Sequence, residues 1–243
     1  MAWVGTNQAK PRTAGVAFGS QSIEASRAFL QRVHFFMSLG LGVTGLVALA
    51  VVSSPGLMNV IFGNPILFPV LLVAELGLVI AFVPLARRVS ASTAAAMFFG
   101  YAALSGVTFS VIFLQYTASS IGSTFLITGG MFAGLSFYGA TTKRDLTSLG
   151  SFAIMGLWGL ILASIVNIFL GSPMLYWLTT FVGVIVFTAL TAYDTAKLKA
   201  LGAQAGGGEA FTKLALQGAL ILYLDFINLF LMLLRIFGDR RRD

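Results

Sequence analysis

The apolar residues of this chain are gathered into seven long runs that are almost free of charge. The length of each run is about 20 residues, which is what a helix needs to cross the hydrocarbon core of a bilayer. The runs lack the short alternation of apolar and polar positions that is typical of outer-membrane barrels. The pattern predicts an all-α integral membrane protein, a bundle of seven transmembrane helices at about residues 33–52, 66–86, 94–114, 119–140, 149–170, 174–196 and 213–237.

Composition supports this class. Of the 243 residues, 58% are hydrophobic and 9% are charged, whereas about 25% of the residues in a soluble domain are charged. The sequence contains no cysteine, which excludes disulfides and thiolate-ligated metals. The net charge of +7 comes from basic residues in short segments between the apolar runs. This placement indicates membrane topology and not nucleic-acid binding.

Charge alternates between the connections. The links after runs one, three and five carry no Lys, Arg, Asp or Glu, and most basic residues lie in the other links and before run one. Because cytoplasmic connections are rich in Lys and Arg, we expect a cytoplasmic N-terminus, in a bacterial inner membrane. Seven crossings then put the basic C-terminal segment outside. The alternative is a re-entrant seventh segment, but its length favours a full crossing.

The runs divide the chain into three parts. Residues 1–30 are predicted to form a mobile cytoplasmic tail, up to about residue 21, and a short amphipathic lead-in helix. Residues 31–238 form the membrane domain, and residues 239–243 form a basic tail. Gly130 and Gly134 make a GxxxG pattern that predicts close helix packing. The stretch AQAGGG at 203–208 is predicted to be a flexible linker.

Three acidic residues lie within the runs or at their edges: Glu75, Asp194 and Asp225. A charged side chain at the centre of a transmembrane helix costs roughly 2.5–3.5 kcal/mol, so each is a candidate for an ion or proton site. Asp225 lies in the stretch LYLDFINLFLMLLR at 222–235, where Asn228 shares its helix face. Glu75 has the alternative of a neutral acid that is bonded to a neighbouring helix.

Runs six and seven are antiparallel neighbours, so Asp194 could face Asp225. Two carboxylates that meet at low dielectric would share a proton, and such a pair senses pH. Thr191 and Asn228 would add oxygens for a transient calcium site. Counting helical turns leaves the aspartates about two turns out of register unless the linker offsets the helices. Otherwise Asp194 is a solvated residue at a helix end and Asp225 is bonded to polar neighbours.

No arrangement of residues favours catalysis. Ser105 lacks the Gly-x-Ser-Gly order of a rhomboid protease, and no Lys lies inside a run to bind retinal. His34 has no second His and no Cys with which to complete a metal site. We therefore expect no enzyme and no cofactor. Arg87 and Arg88, which end run two, are either interfacial anchors or cations that reach back to a carboxylate.

The stretches AYDT at 192–195 and LYLDFINLFLMLLRIFG at 222–238 resemble the Bax inhibitor family, and the layout of all seven runs is similar. The resemblance implies a bundle whose last helix is central. It also implies a pH-sensitive calcium leak, in which Asp194 and Asp225 form the pH sensor and calcium passes near them. An arginine at the end of run two would act as a latch, for which Arg87 and Arg88 are the candidates.

Two further hypotheses stay open. Some bacterial members of this family are regulators or substrates of a membrane-bound AAA protease, and residues 1–30 resemble the tail through which they act. A proton-coupled transporter that uses Glu75 and the aspartate pair is the third hypothesis. The expected partners are membrane lipid, calcium ions and protons, with a membrane protease under the second hypothesis and no nucleic acid under any.

Overall fold

The computed structural model describes the backbone of residues 13–241 and the side chains of residues 23–241. Within this part the chain forms nine helices: α1 (Thr13–Val52), α2 (Pro55–Gly63), α3 (Leu67–Arg88), α4 (Ala91–Phe109), α5 (Ile112–Gln115), α6 (Ala118–Thr141), α7 (Thr147–Leu170), α8 (Pro173–Gly202) and α9 (Gly208–Phe237). Seven helical segments are long and apolar enough to cross a membrane, with α4 and α5 forming one of them. The predicted all-α protein with seven spans is confirmed.

The first helix differs from the prediction at its N-terminal end. Helix α1 begins at Thr13 and runs without a break to Val52, so the lead-in and the first span are one helix. It includes residues 13–21, so the predicted mobile tail is wrong for this part of the chain. Residues 1–12, the rest of that predicted tail, lie outside the described residues, as do residues 242 and 243 of the basic C-terminal tail.

Several helix ends are encoded locally. The side chains of Ser90, Thr117 and Ser172 accept hydrogen bonds from backbone N–H groups in the first turns of α4, α6 and α8. Such N-caps satisfy donors that have no partner within the helix. Pro173 follows Ser172 at the start of α8, where its missing N–H costs nothing. The turn before it contains Gly171 at φ 58°, a left-handed conformation that favours glycine.

Helix α9 is the most buried of the seven spans, and α3 and α7 are the least buried. It packs against α1, α3, α4, α6 and α8, while α7 packs mainly against α8. The apolar core follows α9 along most of its length, from Ala215 to Leu234. The last helix thus supplies much of the core on which the other spans assemble.

The two ends of the bundle differ in charge. One end, which we call the basic end, carries Arg88, Lys143, Arg144 and Lys199 at the α3–α4, α6–α7 and α8–α9 connections. The opposite end carries the uncharged connections and also the C-terminal segment. There the Thr117 N–H donates to the Asp239 carbonyl at 3.0 Å, and the Arg241 N–H donates to the Gln115 carbonyl at 2.9 Å.

The C-terminal segment settles the question of the seventh span. Helix α9 is unbroken from Gly208 to Phe237 and ends at the face opposite its start. A re-entrant seventh segment is therefore wrong. A hydrogen bond with Tyr116 holds the Arg240 guanidinium at this face and raises its pKa above the ordinary value.

Close helix packing occurs at a different glycine from those predicted. A Cβ at Gly130 or Gly134 would meet no atom within 4 Å, so the GxxxG prediction is wrong for the contacts within this chain. Gly139 is the tight position, because a Cβ there would collide with the backbone carbonyl of Ala192. Helices α6 and α8 thus approach each other closely near the basic end, beside Asp194.

Candidate ion site at the central helix

Asp225 is a buried carboxyl group on the central helix. Its side chain is 5% exposed, and its Oδ2 atom has no hydrogen-bond partner among the residues that the structure describes. Buried polar atoms in folded proteins are nearly always bonded, because leaving one unpaired costs about 1–3 kcal/mol or more. The alternative of an Asp225 satisfied by polar neighbours is therefore not what the structure shows.

Asp194 lies inside a helix and not at its end. Helix α8 continues to Gly202, and Asp194 is half-buried. Its carboxyl group is close enough to that of Asp225 for the two to interact electrostatically. Lys197, one turn further along α8, also interacts electrostatically with Asp194, and its ammonium lies 5.7 Å from the centre of the Tyr193 ring. The structure thus brings together the two residues that the sequence proposed as a pair.

The register of α8 and α9 explains this proximity. A Cβ at Gly218 would lie 2.8 Å from the Leu198 side chain, and one at Gly183 would lie 3.0 Å from Met232. Interpolating between these levels places Asp225 about three residues, or about 4.5 Å along the axis, from the level of Asp194. The predicted offset of two turns is wrong, because residues 203–207 let α9 start well beyond the end of α8.

The two residues predicted to supply oxygen ligands beside the pair, Thr191 and Asn228, both donate hydrogen bonds to their own helices, which leaves their side-chain oxygens able to accept. The Thr191 hydroxyl donates to the Phe187 carbonyl at 2.8 Å, and the Asn228 amide donates to the Leu224 carbonyl at 2.8 Å. Within the described residues no three His, Cys, Asp or Glu side chains cluster as metal ligands would. A calcium site at the pair stays a prediction, and it would have to be built from few and weak ligands.

A line of buried hydroxyl groups on α6 was missed from the sequence. Ser120, Thr124, Thr128 and Ser136 recur at multiples of four residues on the buried face of this helix. The Thr124 hydroxyl has no hydrogen-bond partner in the described part of the chain, although its side chain is only 1% exposed. The spacing was visible in the sequence, but inert packing of Ser and Thr between membrane helices gives the same pattern.

Aromatic rings interrupt this line near the level of Asp225. Phe132 takes the position between Thr128 and Ser136 on the buried face of α6. Its ring contacts the Phe226 ring edge to face, with the centroids 5.5 Å apart. The Phe125 ring also packs against Phe226, with the centroids 5.3 Å apart. We call these three rings the aromatic plug, in which Phe132 and Phe226 are buried and Phe125 is 42% exposed.

Glu75 forms a second intramembrane polar site. It accepts hydrogen bonds from Ser105 and from the Thr108 hydroxyl, the latter at 3.0 Å. Tyr223 of α9 lies nearby, and its hydroxyl is 2.7 Å from that of Thr44. The structure thus matches the alternative in which Glu75 is bonded to a neighbouring helix. It does not bring Glu75 to the aspartate pair.

The two latch candidates lie away from the pair. Arg87 and Arg88 are both exposed at the end of α3, and no ion pair joins either of them to an aspartate within residues 23–241. Lys213 of α9 occupies this helix end instead. Its ammonium donates to the Val89 carbonyl at 3.1 Å and to the Arg87 carbonyl at 3.4 Å. A latch formed by either arginine stays a prediction.

Comparison with known proteins finds a matching family model and similar bacterial proteins. The family model described as "Inhibitor of apoptosis-promoting Bax1" matches residues 26–242. The chain is 48% identical over 228 residues to the inner membrane protein YbhL of Escherichia coli, covering 91% of this chain and 97% of that protein. It is 44% identical over 224 residues to an uncharacterized protein of Borreliella burgdorferi, covering 92% and 97% of the two chains. It is 40% identical over 234 residues to one of Caulobacter vibrioides, covering 90% and 92%.

Proposed function

Because the chain belongs to the Bax inhibitor family of membrane proteins, we propose that it is a pH-sensitive calcium leak gated by Asp194 and Asp225. The observation that carries this proposal is the buried and unpaired Oδ2 of Asp225, within electrostatic range of Asp194. An ionisable group at this depth is costly and usually marks a pathway for ions or protons. Transport is proposed here in preference to catalysis.

A shared proton supplies the pH sensitivity. With one proton between them the two carboxyl groups carry a single charge, and they attract each other through a hydrogen bond. Loss of that proton leaves two carboxylates that repel each other and attract a cation. Lys197 is a charged group beside the pair, and it interacts electrostatically with Asp194 from the same helix. The distance between α8 and α9 at the pair would therefore change with pH.

The hydroxyl line on α6 offers a route toward the opposite end. Ser120, Thr124 and Thr128 face the buried side of the bundle, where α6 packs against α8 and α9. Hydroxyl oxygens are weak ligands, which suits an ion that must leave as readily as it enters. The two buried rings of the aromatic plug, Phe132 and Phe226, would close this route until the pair moves.

Calcium flux into liposomes tests the proposal. The purified chain would be reconstituted with a calcium-sensitive dye, and the flux would be measured across pH for wild type, Asp194→Asn, Asp225→Asn and the double variant. A shared proton requires that either substitution flatten the pH profile and that the double variant resemble the single ones. Glu75→Gln is the matched control, because Glu75 is also an intramembrane acid but lies outside the pair. Unchanged profiles in both aspartate variants would exclude the mechanism.

Calcium flux without an added substrate would favour the leak over the transporter hypothesis. A proton-coupled transporter would move protons only with its substrate, whereas a leak carries calcium without one. Regulation of a membrane protease through residues 1–30 stays a prediction. The E. coli relative is named as an inner membrane protein, and we propose the same membrane for this chain, with a cytoplasmic N-terminus and with lipid, calcium and protons as its partners.

A further inference from the structure

A cleft opens between α1 and α6 at the basic end of the bundle. Both helices pack against α8 and α9, and the last turns of α8 form the floor of the cleft. Its volume is about 1200 Å³. Its lining comes from residues 23–34 of α1, from residues 133–147, which run from α6 to the start of α7, and from residues 193–203 at the end of α8. The aspartate pair and Glu75 do not line it. The cleft therefore adjoins the proposed ion site without including its carboxyl groups, and Lys197, which interacts with Asp194, lines it.

The lining of the cleft is strongly basic. Its described cations are Arg27, Lys143, Arg144, Lys197 and Lys199, and its one described carboxylate is Asp145. The Asp145 carboxylate accepts hydrogen bonds from the hydroxyl and the N–H of Thr147 at 2.6 and 2.9 Å, which lower its pKa. Five cations against one carboxylate leave four excess positive charges. A cleft with this balance attracts an anion.

The walls of the cleft are apolar. Leu30 of α1 and Ala133 and Phe137 of α6 line it. Phe137 is 70% exposed and Ile23, which lines the mouth, is 64% exposed, as expected of side chains that face lipid. A soluble anion would gain nothing from these surfaces. The lining fits a molecule that joins an anionic head to an apolar chain.

We propose that this cleft binds an anionic phospholipid. The phosphate lies among Arg27, Lys143 and Arg144, and an acyl chain follows Ala133 and Phe137. Basic pockets between transmembrane helices on one side of a membrane bind anionic head groups in this way, and each nearby basic side chain strengthens the attraction. The proposal is independent of whether the protein conducts calcium.

Native mass spectrometry of the full chain in detergent tests this site. Phosphatidylglycerol and phosphatidylcholine with identical acyl chains would be titrated separately. Phosphatidylglycerol should bind more tightly, and Lys143→Gln with Arg144→Gln should weaken its binding by about 30-fold, equivalent to about 2 kcal/mol. Arg87→Gln with Arg88→Gln removes the same charge at the same end but outside the cleft, and it should leave binding unchanged.

Two further measurements make the outcome decisive. Ala133→Trp fills the apolar wall without changing the charge and should also weaken phosphatidylglycerol binding. Inorganic phosphate at millimolar concentration should not displace the lipid. Equal binding of the two lipids, or equal losses in both double variants, would overturn the proposal. Full displacement by phosphate, or unchanged binding in Ala133→Trp, would also overturn it, because the site would then recognise a phosphate group alone.

Discussion

Gly139 of α6 lies against the backbone carbonyl of Ala192 in α8, with no space for a side chain between them. At the same level the Thr195 hydroxyl of α8 donates a hydrogen bond to the Ser136 hydroxyl of α6 at 3.2 Å. These two contacts bracket Asp194 in the sequence of α8. They hold the two helices together at the level of the proposed pH sensor, so the geometry of the sensor depends on this glycine.

Gly139→Ala should destabilise the protein by about 1–3 kcal/mol, because the backbone carbonyl that its Cβ meets cannot move aside as a flexible side chain would. Gly134→Ala is the matched control on the same helix, since a Cβ there meets nothing within 4 Å. Replacing glycine with alanine inside a helix otherwise gains about 0.5–1 kcal/mol. Thermal unfolding in detergent would compare the two, and equal midpoints would contradict the close contact.

Phe132→Thr should raise the resting calcium flux, because it removes a ring of the aromatic plug and continues the hydroxyl line between Thr128 and Ser136. An apolar constriction blocks ions by excluding water, and a hydroxyl group at that point lets water enter. Phe137→Thr is the control, because that ring is on the same helix but is exposed. If both variants conduct like wild type in the liposome assay, the route does not follow α6.

Thr124→Val should stabilise the protein by about 1 kcal/mol, because it removes a buried hydroxyl group that has no partner and keeps the side-chain shape. Thr128→Val should instead destabilise it by about 1 kcal/mol, since the Thr128 hydroxyl donates to the Thr124 carbonyl at 2.7 Å. Unfolding measurements would reveal the opposite signs. If Thr124→Val is destabilising, its hydroxyl group has a partner in the folded protein.

Lys213→Met should destabilise the protein by about 1 kcal/mol, because its ammonium bonds two carbonyl groups at the end of α3 and cations are favourable at helix C-termini. Arg87→Met and Arg88→Met, which remove exposed cations, should change stability little. The same variants also test the latch in the flux assay. A pH profile altered by either arginine variant, but not by Lys213→Met, would assign the latch to that arginine.

Cysteine labelling should place the C-terminal segment and the α8–α9 linker on opposite sides of the membrane. The chain has no cysteine, so Asp239→Cys and Gly206→Cys each give a single thiol at an exposed position. A membrane-impermeant maleimide applied from outside intact cells should label only residue 239, because basic connections stay in the cytoplasm. Labelling of residue 206 alone would reverse the proposed orientation, and labelling of both would contradict seven crossings.

The membrane class and the seven spans could be predicted from the sequence, because the free-energy cost of placing a polar side chain in lipid depends on that residue and not on distant parts of the chain. Each uncharged run is therefore a helix in the structure. The same local energetics identified Glu75 and Asp225 as unusual. Helix ends were less predictable, since α8 continues past residue 196 to Gly202 and α1 starts well before residue 33.

Only the tertiary structure shows which polar helix faces pack against each other. Turn counting placed Asp194 and Asp225 apart, whereas the contacts of Gly218 with Leu198 and of Gly183 with Met232 bring them within a helical turn. Gly139 packs tightly and Gly134 does not, although the two look alike in the sequence. Register and rotation of helices depend on contacts between residues distant along the chain, and no local pattern contains them. The identity of the spans is thus a local property, and the aspartate pair is a property of their packing.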